Sequence, residues 1–170
     1  MPIFHIPQIF RQRRSVRLFK SDPVSDTNIE KVVLAASLAP TARNVQPWEF
    51  VVIKEQDRRE KIAGLASPNG SFIKSAPICI AVFCQDTKYY LEDGCGATVQ
   101  ALLCAAALGL GTCWVAGDKK DYAEKVRDFL GMPAAYKLVS SIAMGYAAEL
   151  PTTPKRPLKD LIHWEVFKKG

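Results

Sequence analysis

Ile78-Cys79-Ile80-Ala81-Val82-Phe83 is an unbroken apolar run bounded by Pro77 and Gln85, and a long helical candidate over residues 90–108 follows it. An apolar run without polar alternation is what a strand covered on both faces requires. The helical candidate carries Ala97, Ala101, Ala105, Ala106 and Ala107, together with Gly94 and Gly96. Such a helix is too apolar and too small-sided to face water, so it reads as a core helix lying closely on the sheet. In a sharper reading it also packs on its twin in a homodimer. A strand buried on both faces needs a layer of structure on each, which makes the chain one α/β or α+β sandwich.

The flanking segments fit that frame. Residues 26–39 repeat Ile29, Val32, Val33, Ala36 and Leu38 at helical spacing, with Ser25 as the cap and Pro40 as the stop. Residues 48–53 are rich in strand formers, and residues 56–66 read as a helix. Ser67-Pro68-Asn69-Gly70 is a loop by composition. Strands are expected over 112–115 and 138–144, with an amphipathic helix over 121–130. Residues 5–12 read as a short helix, Asp22-Pro23 as a turn, and residues 150–157, with three prolines, as an extended tail. Neither repeats nor a linker interrupt the sequence, so residues 1–170 are expected to form a single domain.

At 170 residues, 48% hydrophobic and 24% charged, the composition is that of a globular chain and not of a disordered one. The formal charge of +6 invites a nucleic-acid reading. Much of the excess sits near the ends, however, in residues 11–20 and in Lys155, Arg156, Lys159, Lys168 and Lys169, without aromatic-and-basic RNA motifs. Anion binding and a solvated surface account for it better. Cys79, Cys84, Cys95, Cys104 and Cys113 contain no C-x-x-C pair, and their odd number argues against a disulfide framework. His5 and His163 lie near opposite termini, so no metal site emerges. With neither a signal-peptide pattern nor a membrane-length apolar run, a cytoplasmic location with reduced thiols is the expectation.

Four segments carry chemistry. Arg13-Arg14-Ser15-Val16-Arg17 sets guanidinium forks and a hydroxyl within one short stretch, which suits a phosphate monoester, although a solvated basic face is the ordinary alternative. Pro40-Thr41-Ala42-Arg43-Asn44-Val45-Gln46-Pro47-Trp48 reads as a helix stop, a turn and a strand start. That leaves its polar middle unexplained. Asn69 can donate and accept at a pyrimidine-like edge, or merely occupy a surface turn. Val115-Ala116-Gly117 pairs a small residue with glycine at a strand exit, where the backbone can approach a flat ring closely. Glu92 and Asp93 are adjacent on a helix, do not face each other, and read as acids favoured in a first turn.

Together these segments resemble the flavin-dependent nitroreductase family from Arg13 to Trp164, most specifically in residues 40–48, where Thr41 stands for the family's usual serine. The resemblance implies an α+β fold, an α/β/α sandwich with a mixed central sheet flanked by helices, in a domain-intertwined homodimer. It implies FMN as cofactor, with Arg13, Arg14, Ser15 and Arg17 at the phosphate and ribityl chain, and Lys155 and Arg156 closing the same pocket. Pro40, Thr41, Ala42 and Asn44 would reach the flavin from the opposite subunit, Asn69 its uracil edge, and the turn at Val115, Ala116 and Gly117 would offer an N–H to N5. The implied activity is ping-pong transfer from NAD(P)H to nitroaromatic, quinone or related small acceptors, with no side-chain catalyst. The chain is short for the extra helices with which larger members wall the substrate pocket. A flavin-binding protein without turnover would carry identical motifs, and a nucleic-acid module is the weakest rival.

Overall fold

β2, Ile78–Gln85, is the strand around which the computed structural model, described over residues 6–167, is assembled. All of it but Gln85 is buried. Its alternating side chains divide between two cores. Ile78, Ile80, Val82 and Cys84 enter one shared with α2 (Asp26–Ser37) and α4 (Tyr90–Ala107). Cys79, Ala81 and Phe83 enter the other, shared with α3 (Gln56–Leu65) and α5 (Ala123–Phe129). A short α1 spans Gln8–Gln12; the start of the helix expected over residues 5–12, with His5, lies outside the described residues. Lys168 and Lys169 do so too.

β2 sits between β1 (Trp48–Ile53) and β4 (Tyr136–Gly145), and β3 (Gly111–Ala116) closes the order β1-β2-β4-β3. All three pairings are antiparallel, which corrects the expected mixed sheet. The reason is topological. β2 and β3 do run parallel, with α4 as the crossover, but β4 inserts between them. The parallel contact among the described residues is the isolated bridge Ser15↔Thr112.

The long helix lies close on the sheet, and glycine is the cause. A Cβ on Gly94 would stand 2.6 Å from Val139 and 2.9 Å from the Cys84 sulfur. A bulge in β4 reinforces the seat, because the β2 partners step from Val82↔Ser140 to Phe83↔Leu138 and leave Val139 extra. Val139 therefore meets Gly94, while Ser140 Oγ hydrogen-bonds Thr98 Oγ1 of α4 at 2.8 Å. Ser25 caps α2 as expected, accepting from the Asn28 N–H at 3.3 Å.

A single chain leaves much apolar surface in water. Leu34, Leu38, Val45 and Val99 are exposed, and so are Leu158, Leu161, Ile162, Trp164, Val166 and Phe167 in the C-terminal segment. Trp164 is 78% exposed, which no isolated chain gains from. No described helix is long and apolar enough to cross a membrane.

Candidate functional site at the free edge of β3

Residues 13–17 are laid along the edge strand β3. Val16 is buried, and its N–H donates to the Thr112 carbonyl at 2.9 Å. Gly111 makes room for it, since a Cβ there would meet Val16 carbons at 2.9–3.0 Å. Val16 thus pins a segment whose other residues are polar. Arg17 is exposed, with its guanidinium 5.7 Å from the Phe72 ring centroid. Arg13 and Arg14 help line a cleft of about 510 Å³ with Ala106, Leu110 and Thr152. Arg14 donates to the Arg13 carbonyl at 3.1 Å, and Arg17 to the Ser15 carbonyl at 3.3 Å. None of the ion pairs among the described residues involves Arg13, Arg14 or Arg17. Burial pushes the nearby Cys113 thiol up, and Arg17 and Arg13 offset part of that push.

The same edge continues to the strand exit. Because the Thr112 carbonyl faces Val16, backbone parity turns the groups of Trp114 and Ala116 outward too. The odd residues face β4, as the Gly117 N–H to Val139 carbonyl bond of 3.0 Å shows. Ala116 is exposed and its carbonyl accepts from the Tyr122 hydroxyl. The Val115 side chain is buried in the α3/α5 core. Gly117 answers to packing, since a Cβ there would stand 2.5 Å from Leu138 Cγ and 2.8 Å from its carbonyl. Asn69 lies exposed beside this exit, because neighbouring Gly70 abuts Val115, 3.1 Å from its would-be Cβ. Residues 13–17 and Ala116 therefore share one edge of the sheet.

Residues 40–47 lie elsewhere. Thr41 donates to Asp93 Oδ2 at 2.9 Å, and the Ala42 N–H to Oδ1 at 3.1 Å. The Gln46 N–H donates to Thr41 Oγ1 at 3.2 Å, and Gln46 Nε2 to Asn44 Oδ1 at 3.0 Å. Arg43, Asn44 and Gln46, none of them glycine, hold left-handed φ of 55°, 55° and 51°, with Val45 right-handed between them. Each such residue costs on the order of 1 kcal/mol, and concentrations of strain mark functional loops. Pro40 and Asn44 are exposed. The loop is anchored on the first turn of α4, whereas Arg13 and Arg14 line a cleft with Ala106 and Ala107 of its last. From Asp93 to Ala106 is about 20 Å of helix at about 1.5 Å per residue. One copy of the chain holds the loop and the clamp apart.

The start of the tail, Leu150 to Thr152, lines the same cleft as Arg13 and Arg14. Lys155 and Arg156 are exposed, and Arg156 donates to the Asp160 carbonyl at 2.8 Å. Three contributors were missed in the sequence. Asp93, read as a first-turn acid, is buried and holds the loop. Tyr90 donates to Asp118, just past Gly117, which raises the phenol to about 12 through that hydrogen bond and burial. Phe72 stacks under Arg17.

Comparison with known proteins identifies the family. The sequence matches the Nitroreductase family over residues 10–77 and 68–146. It is 33% identical over 142 residues, 79% of this chain and 80% of the relative, to a protein of Archaeoglobus fulgidus named "Putative NADH dehydrogenase/NAD(P)H nitroreductase". It is 24% identical to an NADH dehydrogenase of Thermus thermophilus, covering 96% of this chain and 98% of the relative. An FMN-dependent nitroreductase from Clostridium difficile superposes with a TM-score of 0.88 at 26% identity, covering 94% of this chain and 98% of that one. The chain belongs to the nitroreductase family of oxidoreductase enzymes.

Proposed function

We propose that the chain binds FMN along the free edge of β3 and works as an NAD(P)H oxidoreductase on nitroaromatic, quinone or related small acceptors. The observation that carries the reading is the clamp. Two guanidiniums outside the ion pairs of the described residues, with a hydroxyl between them, lie on a strand edge that leads to an outward backbone N–H. That donor set fits a phosphate monoester joined to a flat heterocycle.

Arg13, Ser15 and Arg17 would hold the phosphate end, with Arg14 lining the cleft beside it. Val115 and Gly117 fix the strand exit through core packing, so that Ala116 offers its N–H at the edge. Asn69 would pair with the polar rim of the ring. Asn44, carried by Pro40, Thr41 and Ala42, would come from a second copy, because in one copy the loop and clamp are anchored at opposite ends of α4. The apolar tail would cover that second copy, excluding water and bringing Lys155 and Arg156 toward a phosphate end. When bound, the flavin supplies the hydride chemistry, taking it from NAD(P)H and passing it to the acceptor in separate half-reactions.

An absorption spectrum of the purified, FMN-supplied protein, before and after anaerobic NADH or NADPH, tests the reading. Bound flavin that bleaches is expected. Bound flavin that stays oxidised with both donors would favour a flavin-binding protein without turnover. No bound flavin would overturn the proposal.

A further inference from the structure

Asp93 is 5% exposed, yet none of the ion pairs among the described residues includes it. A buried carboxylate without a counter-charge is costly unless its oxygens are hydrogen-bonded. Both oxygens are engaged with one loop, accepting from the Thr41 hydroxyl at 2.9 Å and the Ala42 N–H at 3.1 Å. Its place in the first turn of α4 offsets part of the remaining cost. Beyond Thr41 the contacts continue as a relay, with the Gln46 N–H on Thr41 Oγ1 and the Gln46 amide on Asn44 Oδ1. Every left-handed residue of the loop, Arg43, Asn44 and Gln46, falls inside that relay.

We propose that Asp93 is a positioning residue, which holds loop 41–46 and thereby sets the direction in which Asn44 is presented to the site of a second copy. The proposal rests on the FMN reading above. The carboxylate touches no reacting atom and acts through Thr41. An acid suits the task because it offers two acceptor oxygens to two converging donors. Asparagine in its place keeps one acceptor for the Ala42 N–H and forces the Thr41 hydroxyl to give up its role as donor there.

The test is FMN titration of Asp93→Ala, Thr41→Val, Thr41→Ser and Arg17→Ala, on proteins whose dimer mass and circular dichroism match the parent. Asp93→Ala and Thr41→Val are expected to weaken FMN by roughly ten- to a hundredfold, while Thr41→Ser keeps the hydroxyl and the affinity. If Asp93→Ala does not fold, Thr41→Val carries the comparison, because Thr41 is only half-buried. Co-expressed Asp93→Ala and Arg17→Ala chains supply the readout that a merely structural role would not move. One of the two sites in that mixed dimer takes its clamp from the first chain and its loop from the second, so one tight FMN per dimer is expected. Parental affinity in both Asp93→Ala and Thr41→Val would overturn the positioning role, as would a mixed dimer with no tight site. Parental affinity in Arg17→Ala would instead count against the clamp.

Discussion

Two compact cationic segments, residues 13–17 and 155–157, look alike in sequence and are held very differently. The first is sewn to β3 by a backbone hydrogen bond and by Val16, which is 1% exposed against Gly111. The second sits on an exposed tail, where Arg156 donates to the carbonyl of Asp160. Charge does not make the difference, since both segments have it. A single buried apolar residue among the charges ties the first to the sheet, while residues 155–157 are exposed throughout.

The contrast breaks most readily at Val16. Val16→Asp, which buries an unpaired carboxylate, is expected to cost about 3 kcal/mol or more in urea unfolding, and Pro157→Asp no more than about 0.5 kcal/mol. Similar losses from the two changes would remove the distinction. Gly111→Ala tests the other half of the seat. Its Cβ would meet Val16 at 2.9 Å, and overpacking of that kind costs about 1–3 kcal/mol. FMN affinity should fall with it, and a stability loss with unchanged affinity would separate the seat from the site.

Side-chain truncation sharpens the comparison further. Arg17→Ala should weaken FMN by about 1–3 kcal/mol, read by fluorescence titration. Arg156→Ala should weaken it by less, about 1 kcal/mol, because its guanidinium must first leave the Asp160 carbonyl. A larger effect at Arg156 would make the tail the principal clamp. The smallest effect lies at the strand exit, where Tyr90 ties Asp118 to α4. The folded phenol is raised from 10 to about 12, so its contribution is fully present below pH 10 and is lost as pH rises toward 12. Tyr90→Phe should flatten that alkaline slope, and an unchanged slope would assign it to another group.

The elements were legible because burial writes its period into the chain. β1 falls on residues 48–53 as expected, and β2 shows the two-sided burial that its apolar run predicts. Strand direction was not legible, since no local pattern announces that β4 will slip between β2 and β3. Gly117 was singled out for approach to a ring, but its missing Cβ is required by Leu138 on the core side. The hold of Asp93 on the loop was not legible because its two partners lie more than fifty residues away in the chain. Sequence spacing on a helix reveals neighbours on that helix and nothing of what packs across it. Residue type alone marked residues 13–17 as a candidate anion site, whereas the anchoring of that segment needed Val16 and Gly111 to be seen together.

The central claim is that a complete flavin site takes its clamp from one copy and its loop from another. Sedimentation equilibrium of the FMN-supplied protein, followed at the flavin absorption band, tests it most directly. The account predicts that bound flavin sediments with a species of twice the chain mass and one FMN per chain. Tightly bound flavin on a single chain would contradict it.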